Sequence, residues 1–138
     1  MKSITFTPTR NEHSTFFAVT SALNEFGFCA ALNETFKIAL RIAPSADENS
    51  YFNRYTSDSE LHHLRIDLRV NKSIINTLCV DFLEKTDYIL RVSNVSSEEE
   101  IQDFQKKLKS MKHSVFVQKL DFSKFKKKQT EQLLRLFV

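Results

Sequence analysis

Glycine is almost absent from this chain, since Gly27 is the only one in 138 residues. A chain of this length usually carries about ten glycines. Glycine allows positive φ angles and lets the backbone approach a phosphate group closely. The scarcity therefore excludes the glycine-rich phosphate loop, the dinucleotide-binding fingerprint and the glycine-flanked nucleophile of the α/β-hydrolases.

Cysteine and histidine are also too few and too scattered to build a metal or disulfide scaffold. Cys29 and Cys79 both lie in apolar stretches, which predicts buried free thiols. His62 and His63 precede a predicted strand, in which adjacent side chains point to opposite faces and do not chelate one ion. No Cys-x-x-Cys or His-x-x-x-His spacing occurs. We therefore expect no metal, no cofactor and no enzymatic activity.

Long apolar runs are missing as well. No apolar run approaches the roughly 18 residues of a membrane span. The first residues, 1–6, lack the apolar core of a secretory signal. We expect an intracellular protein, cytoplasmic or nuclear, that is neither secreted nor bound to a membrane.

Phenylalanine, by contrast, is abundant, with 13 copies and no tryptophan. Most of these rings are expected in a core, and any that remain on the surface are typical of a binding site for a partner. The apolar fraction of 41% is ordinary for a globular chain, and the length suits a single domain over residues 1–138.

The spacing of apolar residues predicts an α+β domain with the order β-α-β-β-β-α-β-α-β-α. Strands are predicted at 3–7, 28–32, 35–43, 64–70, 87–95 and 114–120. Helices are predicted from 11–14 to 26, at 72–85, from 96–100 to 111, and from 121–123 to 137. We expect a mainly antiparallel, mixed sheet with the helices packed on one face.

Two helix ends carry recognisable signals. The first helix is predicted from a stripe of apolar residues spaced three or four apart, namely Phe16, Val19, Leu23 and Phe26. Gly27 follows this stripe, at the position where a helix commonly ends in a left-handed residue. Ser96 with Glu99, or Ser97 with Glu100, forms a capping box at the start of the third helix.

The longest polar connection spans residues 44–60 and is predicted to be a loop. It holds aromatic side chains and an arginine, the residue types that anchor protein interfaces. The candidate partner-binding residues are Tyr51, Phe52, Arg54 and Tyr55. The alternative is that these aromatic rings pack back onto the core.

Charge is unevenly placed along the chain. Residues 1–100 hold 10 basic and 14 acidic side chains, whereas the basic C-terminal segment, 101–138, holds 10 basic and 3 acidic ones. The candidate contacts to nucleic acid or to an acidic partner are Lys106, Lys107, Lys109, Lys112, Lys124, Lys126, Lys127 and Lys128. Such lysines release counterions from a phosphate backbone, and Phe116, Phe122 and Phe125 among them could stack on bases. The alternative is a solvated helical face.

The last helix ends in an unusually apolar stretch, 132–138. One face of the helix carries Leu133, Leu134 and Phe137, and two further apolar residues, Leu136 and Val138, lie outside this face. We expect the helix to pack within the domain, with a homodimer or a different partner as the alternatives.

Taken together, these patterns favour a non-enzymatic protein-binding module. We expect an accessory subunit or inhibitor in a larger complex, for which a nucleoprotein complex is one candidate. The first alternative is a sequence-tolerant nucleic-acid-binding protein that uses the lysine-rich C-terminal segment. The second is a glycine-poor enzyme whose site carries no recognisable motif.

Overall fold

The computed structural model describes residues 14–43, 53–57, 64–72 and 78–137. The strands are β1 (Thr15–Ser21), β2 (Leu40–Ala43), β3 (Arg54–Ser57), β4 (Arg65–Val70), β5 (Tyr88–Ser93) and β6 (Ser114–Lys119). The helices are α1 (Glu25–Phe36), α2 (Glu98–Ser110) and α3 (Lys127–Arg135), and a short 3₁₀ helix covers Phe122–Lys124. The strand predicted at 3–7 lies outside the described residues.

The strands form one sheet in the order β2-β3-β4-β5-β1-β6, and every described pairing is antiparallel. This confirms the α+β class and much of the predicted order. The helices, however, cover both faces of the sheet. Helices α1 and α2 pack on what we call the two-helix face, whereas α3 packs on the opposite, α3 face. The expectation that all the helices pack on one face is therefore wrong.

Strand β1 explains why both faces are covered. Phe17 and Val19 belong to the core of the two-helix face, and Phe16 and Ala18 belong to the core of the α3 face. A strand that is buried on both faces has a continuous apolar run rather than an alternating one. The helix predicted from 11–14 to 26 is therefore wrong over Thr15–Ser21, because spacings of three and four also occur by chance in such a run, and only its last residues, Glu25 and Phe26, are helical, as the start of α1.

Helix α1 occupies the stretch in which two strands were predicted. The Asn24 side chain caps its N-terminus by accepting a hydrogen bond from the Gly27 amide at 2.8 Å. Phe28, Leu32 and Phe36 are spaced four apart and are all buried against the sheet. The strand predicted at 28–32, and the first residues of the one at 35–43, are corrected to helix. Only the last part of the second strand survives, as β2.

The residue that ends a helix in the left-handed conformation also differs from the prediction. Gly27 lies in the first turn of α1 and not at a helix end. The left-handed residue that ends α1 is Lys37, with φ 55°. Its amide donates to the Asn33 carbonyl. Side chains are disfavoured in this conformation because Cβ crowds the following carbonyl oxygen.

The segment after β4 was predicted as a helix over 72–85, but its described residues 78–85 form turns. The buried Asn71 side chain organises them. Its oxygen accepts from the Val80 amide at 2.8 Å, and its NH₂ group donates to the carbonyls of Leu83 at 3.0 Å and Thr86 at 2.9 Å. An asparagine that bonds to nearby backbone in this way offers an alternative to helical hydrogen bonds.

Strands β4, β5 and β6 and helix α2 lie where the sequence predicted them. Ser97 caps α2 by accepting from the Glu100 amide at 3.1 Å, and the Glu100 carboxylate accepts from the Ser96 amide at 2.8 Å. The N-cap predicted at Ser97 is therefore confirmed, and the Glu100 side chain accepts from the amide one residue before the N-cap rather than from that of Ser97 itself. The last helix starts later than predicted, because Asp121 caps the 3₁₀ helix and α3 begins only after Lys126.

We expect Lys37→Gly to raise the free energy of unfolding by about 0.5–1 kcal/mol, because glycine adopts a positive φ without the steric cost that lysine meets there. Urea denaturation measures the change. The matched control is Glu34→Gly, at an exposed position inside α1, which should lower the free energy of unfolding by up to about 1 kcal/mol. A loss of stability in Lys37→Gly would contradict the left-handed end of α1.

Candidate functional site

Two of the four residues predicted to contact a partner are described, and they lie in strand β3 rather than in a loop. Tyr51 and Phe52 lie outside the described residues. Tyr55 is only 7% exposed, and its ring belongs to the core of the two-helix face. Arg54 precedes it in the strand and therefore points to the α3 face. The loop predicted over 44–60 is thus interrupted by β3, and Tyr55 is not available at the surface.

The hydroxyl of Tyr55 is used inside the fold. It donates to the carboxylate of Glu25, at the start of α1, which also accepts from the Asn53 side chain. Burial, then the hydrogen bond to Glu25, raises the pKa of Tyr55. Burial, then the charge of Glu25, raises the pKa of the Cys29 thiol to about 12. Both Cys29 and Cys79 are buried thiols that form no disulfide within the described structure, as predicted.

Arg54 belongs to an arginine cluster on the α3 face. The cluster consists of Arg54, Arg65, Arg69 and Arg91 around Asp67. Arg91 donates to one carboxylate oxygen of Asp67 through Nε at 3.2 Å and Nη2 at 2.9 Å. Burial lowers the pKa of Arg54, Asp67 opposes this, and the three other arginines add to the lowering.

The arginine cluster holds the last helix on the sheet. Arg69, which is 1% exposed, donates to the Leu136 carbonyl at 3.3 Å, and Arg54 donates to the Phe137 carbonyl at 3.4 Å. The guanidinium of Arg91 lies 5.4 Å from the centre of the Phe137 ring. Carbonyls at a helix C-terminus carry partial negative charge, so the arginines complement this end of α3. Leu133, Leu136 and Phe137 are buried, which confirms that the last helix docks within the domain.

The eight candidate lysines are all exposed, but elements on opposite faces of the sheet carry them. Lys106, Lys107, Lys109 and Lys112 lie on α2 and the turn that follows it. The other four lie on the 3₁₀ helix and at the start of α3, whose apolar residues pack on the α3 face. Strand β6 runs between the two groups along the chain and forms one edge of the sheet. The lysines therefore flank an edge strand from both sides.

In the described part of the chain, β6 pairs with β1 on one side and with no strand on the other. The Leu120 amide donates to the Phe16 carbonyl of β1 at 2.9 Å. Because alternate residues of an antiparallel strand point their backbone groups to the same side, Phe116 and Gln118 also face β1. Within the regular pairing, the backbone groups that point outward are those of Val117 and Lys119, and Val115 lies at the bulge that precedes them. We call this side of the strand, from Val115 to Lys119, the β6 edge.

Apolar side chains accompany these outward-pointing backbone groups. Val115 is 70% exposed and Phe116 is 58% exposed, which makes them two of the four large apolar side chains that the described structure leaves at the surface. A groove of about 300 Å³, the β6 groove, runs along them and is lined by Lys109, Ser114, Val115, Phe116 and Val117. The strand thus offers hydrogen bonds, apolar contact and one lysine within a single surface.

The surroundings of the β6 edge are positively charged. Residues 104–120 contain five lysines and no carboxylate. Lys119 is paired with the exposed Glu98 of α2, at 3.3 Å. Lys109 lines the groove itself. An incoming group with negative charge is therefore favoured over one with positive charge.

Sequence reasoning placed Val115 and Val117 in a strand but missed that this strand ends the sheet. The available signal was Val115-Phe116-Val117, three consecutive apolar residues in a stretch otherwise rich in lysine. A half-buried strand would show polar residues at alternate positions. The order of strands in the sheet is needed to see that two of these side chains, Val115 and Phe116, are exposed.

Among the described residues, no helix is both long and apolar enough to cross a bilayer, and no three potential metal ligands come together. Comparison with protein-family models, with curated proteins and with solved structures finds no match for this chain. The functional argument therefore rests on the β6 edge and its surroundings.

We expect Asp67→Asn to lower the free energy of unfolding by about 3–5 kcal/mol, because it removes the charge of a fully buried carboxylate that Arg91 and Arg65 contact and leaves the arginine cluster without its counter-charge. Urea denaturation measures the loss. The matched control is Glu98→Gln, which removes the exposed partner of Lys119 and should cost less than about 1 kcal/mol. Equal, small losses in the two variants would contradict a structural role for the arginine cluster.

The raised pKa of Cys29 predicts an unreactive thiol and a stability that falls in alkali. At pH 8 we expect iodoacetamide to alkylate Cys29 about a thousandfold more slowly in the native protein than in urea, with mass spectrometry of peptides separating it from Cys79. Since folding raises this pKa from 9.0 to about 12, its contribution to stability is complete below pH 9 and is lost as the pH rises toward 12. Rapid alkylation of the native thiol would contradict its burial.

Proposed function

We propose that this protein is a non-enzymatic protein-binding module, a subunit of a larger complex, that holds a partner at the β6 edge. An extended segment of the partner adds to the sheet as a further strand, a mode in which main-chain hydrogen bonds provide affinity and alternate side chains provide specificity. The observation that carries the proposal is the combination of outward-pointing backbone groups with the exposed Val115 and Phe116 on the same strand.

An open edge of this kind is a liability for a protein that has no partner. Natural sheets usually protect their edges with charge, bulges, proline or a covering loop. Here the register with β1 is shifted by a bulge at one end, between Thr20 and Ser21, and regular pairing extends from Phe116 to Lys119. Two large apolar side chains on the strand add surface that a partner strand would remove from water.

The lysines support a protein partner over a nucleic acid. A nucleic-acid groove follows the phosphate backbone with a continuous row of positive charge. Here four of the candidate lysines lie on α2 and the turn that follows it, on one face of the sheet, and the other four lie on the 3₁₀ helix and at the start of α3, on the other face. The arginines Arg54, Arg69 and Arg91, which would give bidentate contacts to phosphate, bond instead to α3 and Asp67.

The first test selects peptides from a random library displayed on phage against the immobilised full chain. Selected peptides are then measured by fluorescence anisotropy against the wild type and against Val115→Pro. Proline is tolerated at a bulge, but its ring and its missing N–H obstruct an added strand at this end of the β6 edge, whereas the regular pairing of Phe116–Lys119 with β1 remains. We expect binding to weaken by at least about tenfold. The control Val115→Thr keeps the N–H and the branched shape and should stay within about threefold of the wild type.

Methylation of the peptide backbone tests the pairing without altering the protein. A strand on the β6 edge uses the N–H groups of every second residue only. Methylating those nitrogens should abolish binding, whereas methylating the alternate set should leave it within about threefold. Equal effects of the two methylation patterns would contradict strand addition, as would a library that yields no peptide dependent on Val115.

Labelled single-stranded DNA, duplex DNA and RNA serve as competing probes in the same assay. The proposal predicts no binding near physiological salt. Tight binding that weakens steeply with salt, and that is lost when Lys106, Lys107, Lys109 and Lys112 are changed to glutamine, would instead identify a nucleic-acid partner.

A further inference from the structure

We infer that the segment held at the β6 edge is an acidic strand, in which carboxylates alternate with apolar side chains. This inference rests on the proposed function, because it specifies the partner of the same surface. Its basis is the different chemistry of the two faces of β6, which any added strand continues.

On the two-helix face, the neighbours of an added strand are apolar near the middle of β6 and positively charged around it. Val117 lies opposite Val19 and Lys119 lies opposite Phe17, so both point to this face. Helix α2 packs on the same face, and its Lys109 lines the β6 groove. A partner side chain that points to this face therefore meets a lysine, and a carboxylate there is favoured.

On the α3 face, the neighbour is an exposed aromatic ring. Phe116 lies opposite Thr20 in the pairing with β1, and Gln118 lies opposite Ala18, so both point to the α3 face. Phe116 is 58% exposed. Cross-strand contact with an aliphatic or aromatic side chain would cover it, and such cross-strand pairs stabilise a sheet. Apolar residues are therefore favoured at the alternate positions of the partner strand.

The same charges argue against a second copy of this chain as the occupant. Pairing β6 with β6 would bring Lys109, Lys112 and Lys119 of one copy toward those of the other. Like charges that face each other across a sheet are destabilising. Lys119 is paired with the exposed Glu98, whereas residues 104–120 contain no carboxylate that could neutralise Lys109 and Lys112. An acidic strand from a different protein has no such penalty.

The test uses two capped heptapeptides measured by fluorescence anisotropy against the full chain. One alternates glutamate with valine, and the other replaces every glutamate by glutamine. We expect the glutamate peptide to bind about tenfold more tightly at low salt, since several exposed ion pairs each contribute about 0.2–1 kcal/mol. The difference should shrink as salt is raised, because exposed charges are screened.

Two double variants locate the charge effect on the protein. Lys109→Gln with Lys112→Gln should remove most of the preference for the glutamate peptide. Lys124→Gln with Lys128→Gln lowers the net charge by the same amount, but at the other group of lysines, and should leave the preference unchanged. Analytical ultracentrifugation of the free chain checks for self-pairing and should show a monomer.

The outcomes separate this inference from the function on which it rests. Equal binding of the two heptapeptides, or equal effects of the two double variants, overturns the acidic partner while peptides from the library still bind at Val115. Binding of neither heptapeptide, together with a library that yields no peptide, overturns both. A dimer that Val115→Pro dissociates identifies a second copy as the occupant and also overturns the acidic partner.

Discussion

Hydrogen bonding along both edges of β1 joins the two halves of the sheet. Strand β1 lies between β5 and β6, and its side chains belong alternately to the cores of the two faces. Phe17 and Val19 are fully buried under α1 and α2, while Phe16 contacts the aromatic rings of Phe122 and Phe137 on the α3 face. Both helical layers therefore need β1 in place, and so does β6, which has no other strand to pair with in the described structure.

The sequence predicted best the elements whose signals are local. The capping box of Ser97 and Glu100 identified the start of α2, and clean alternation identified β4. Prediction from the sequence failed where an apolar stretch is compatible with either a helix or a strand. The run that begins at Phe16 is a strand buried on both faces, and the run from Phe28 to Leu32 is one side of a helix. Only the packing of both against one sheet distinguishes them.

Features of the site were predictable to the extent that they depend on one residue at a time. Exposure of the lysines follows from their chemistry alone. Arg54 and Tyr55 point to opposite faces of the sheet, and this could not be predicted one residue at a time. It depends on a four-residue strand inside a polar segment. The position of β6 at the edge of the sheet depends on the order in which the strands pair. That order is a property of pairings between distant residues, and it makes Val115 and Phe116 surface residues despite their apolar character.

The position of β1 also has a consequence for how the chain folds during synthesis. Thr15 pairs with Val92, and Phe17 pairs with Lys119, near the far end of the chain. Contacts between residues so distant in sequence slow folding, because a long loop must close before they form. A ribosome at about 5–20 residues per second would therefore leave the apolar strand Phe16–Val19 unpaired for several seconds. During that interval chaperones can bind the nascent chain. The last strand to pair with β1 is β6, which is also the strand that we propose binds the partner.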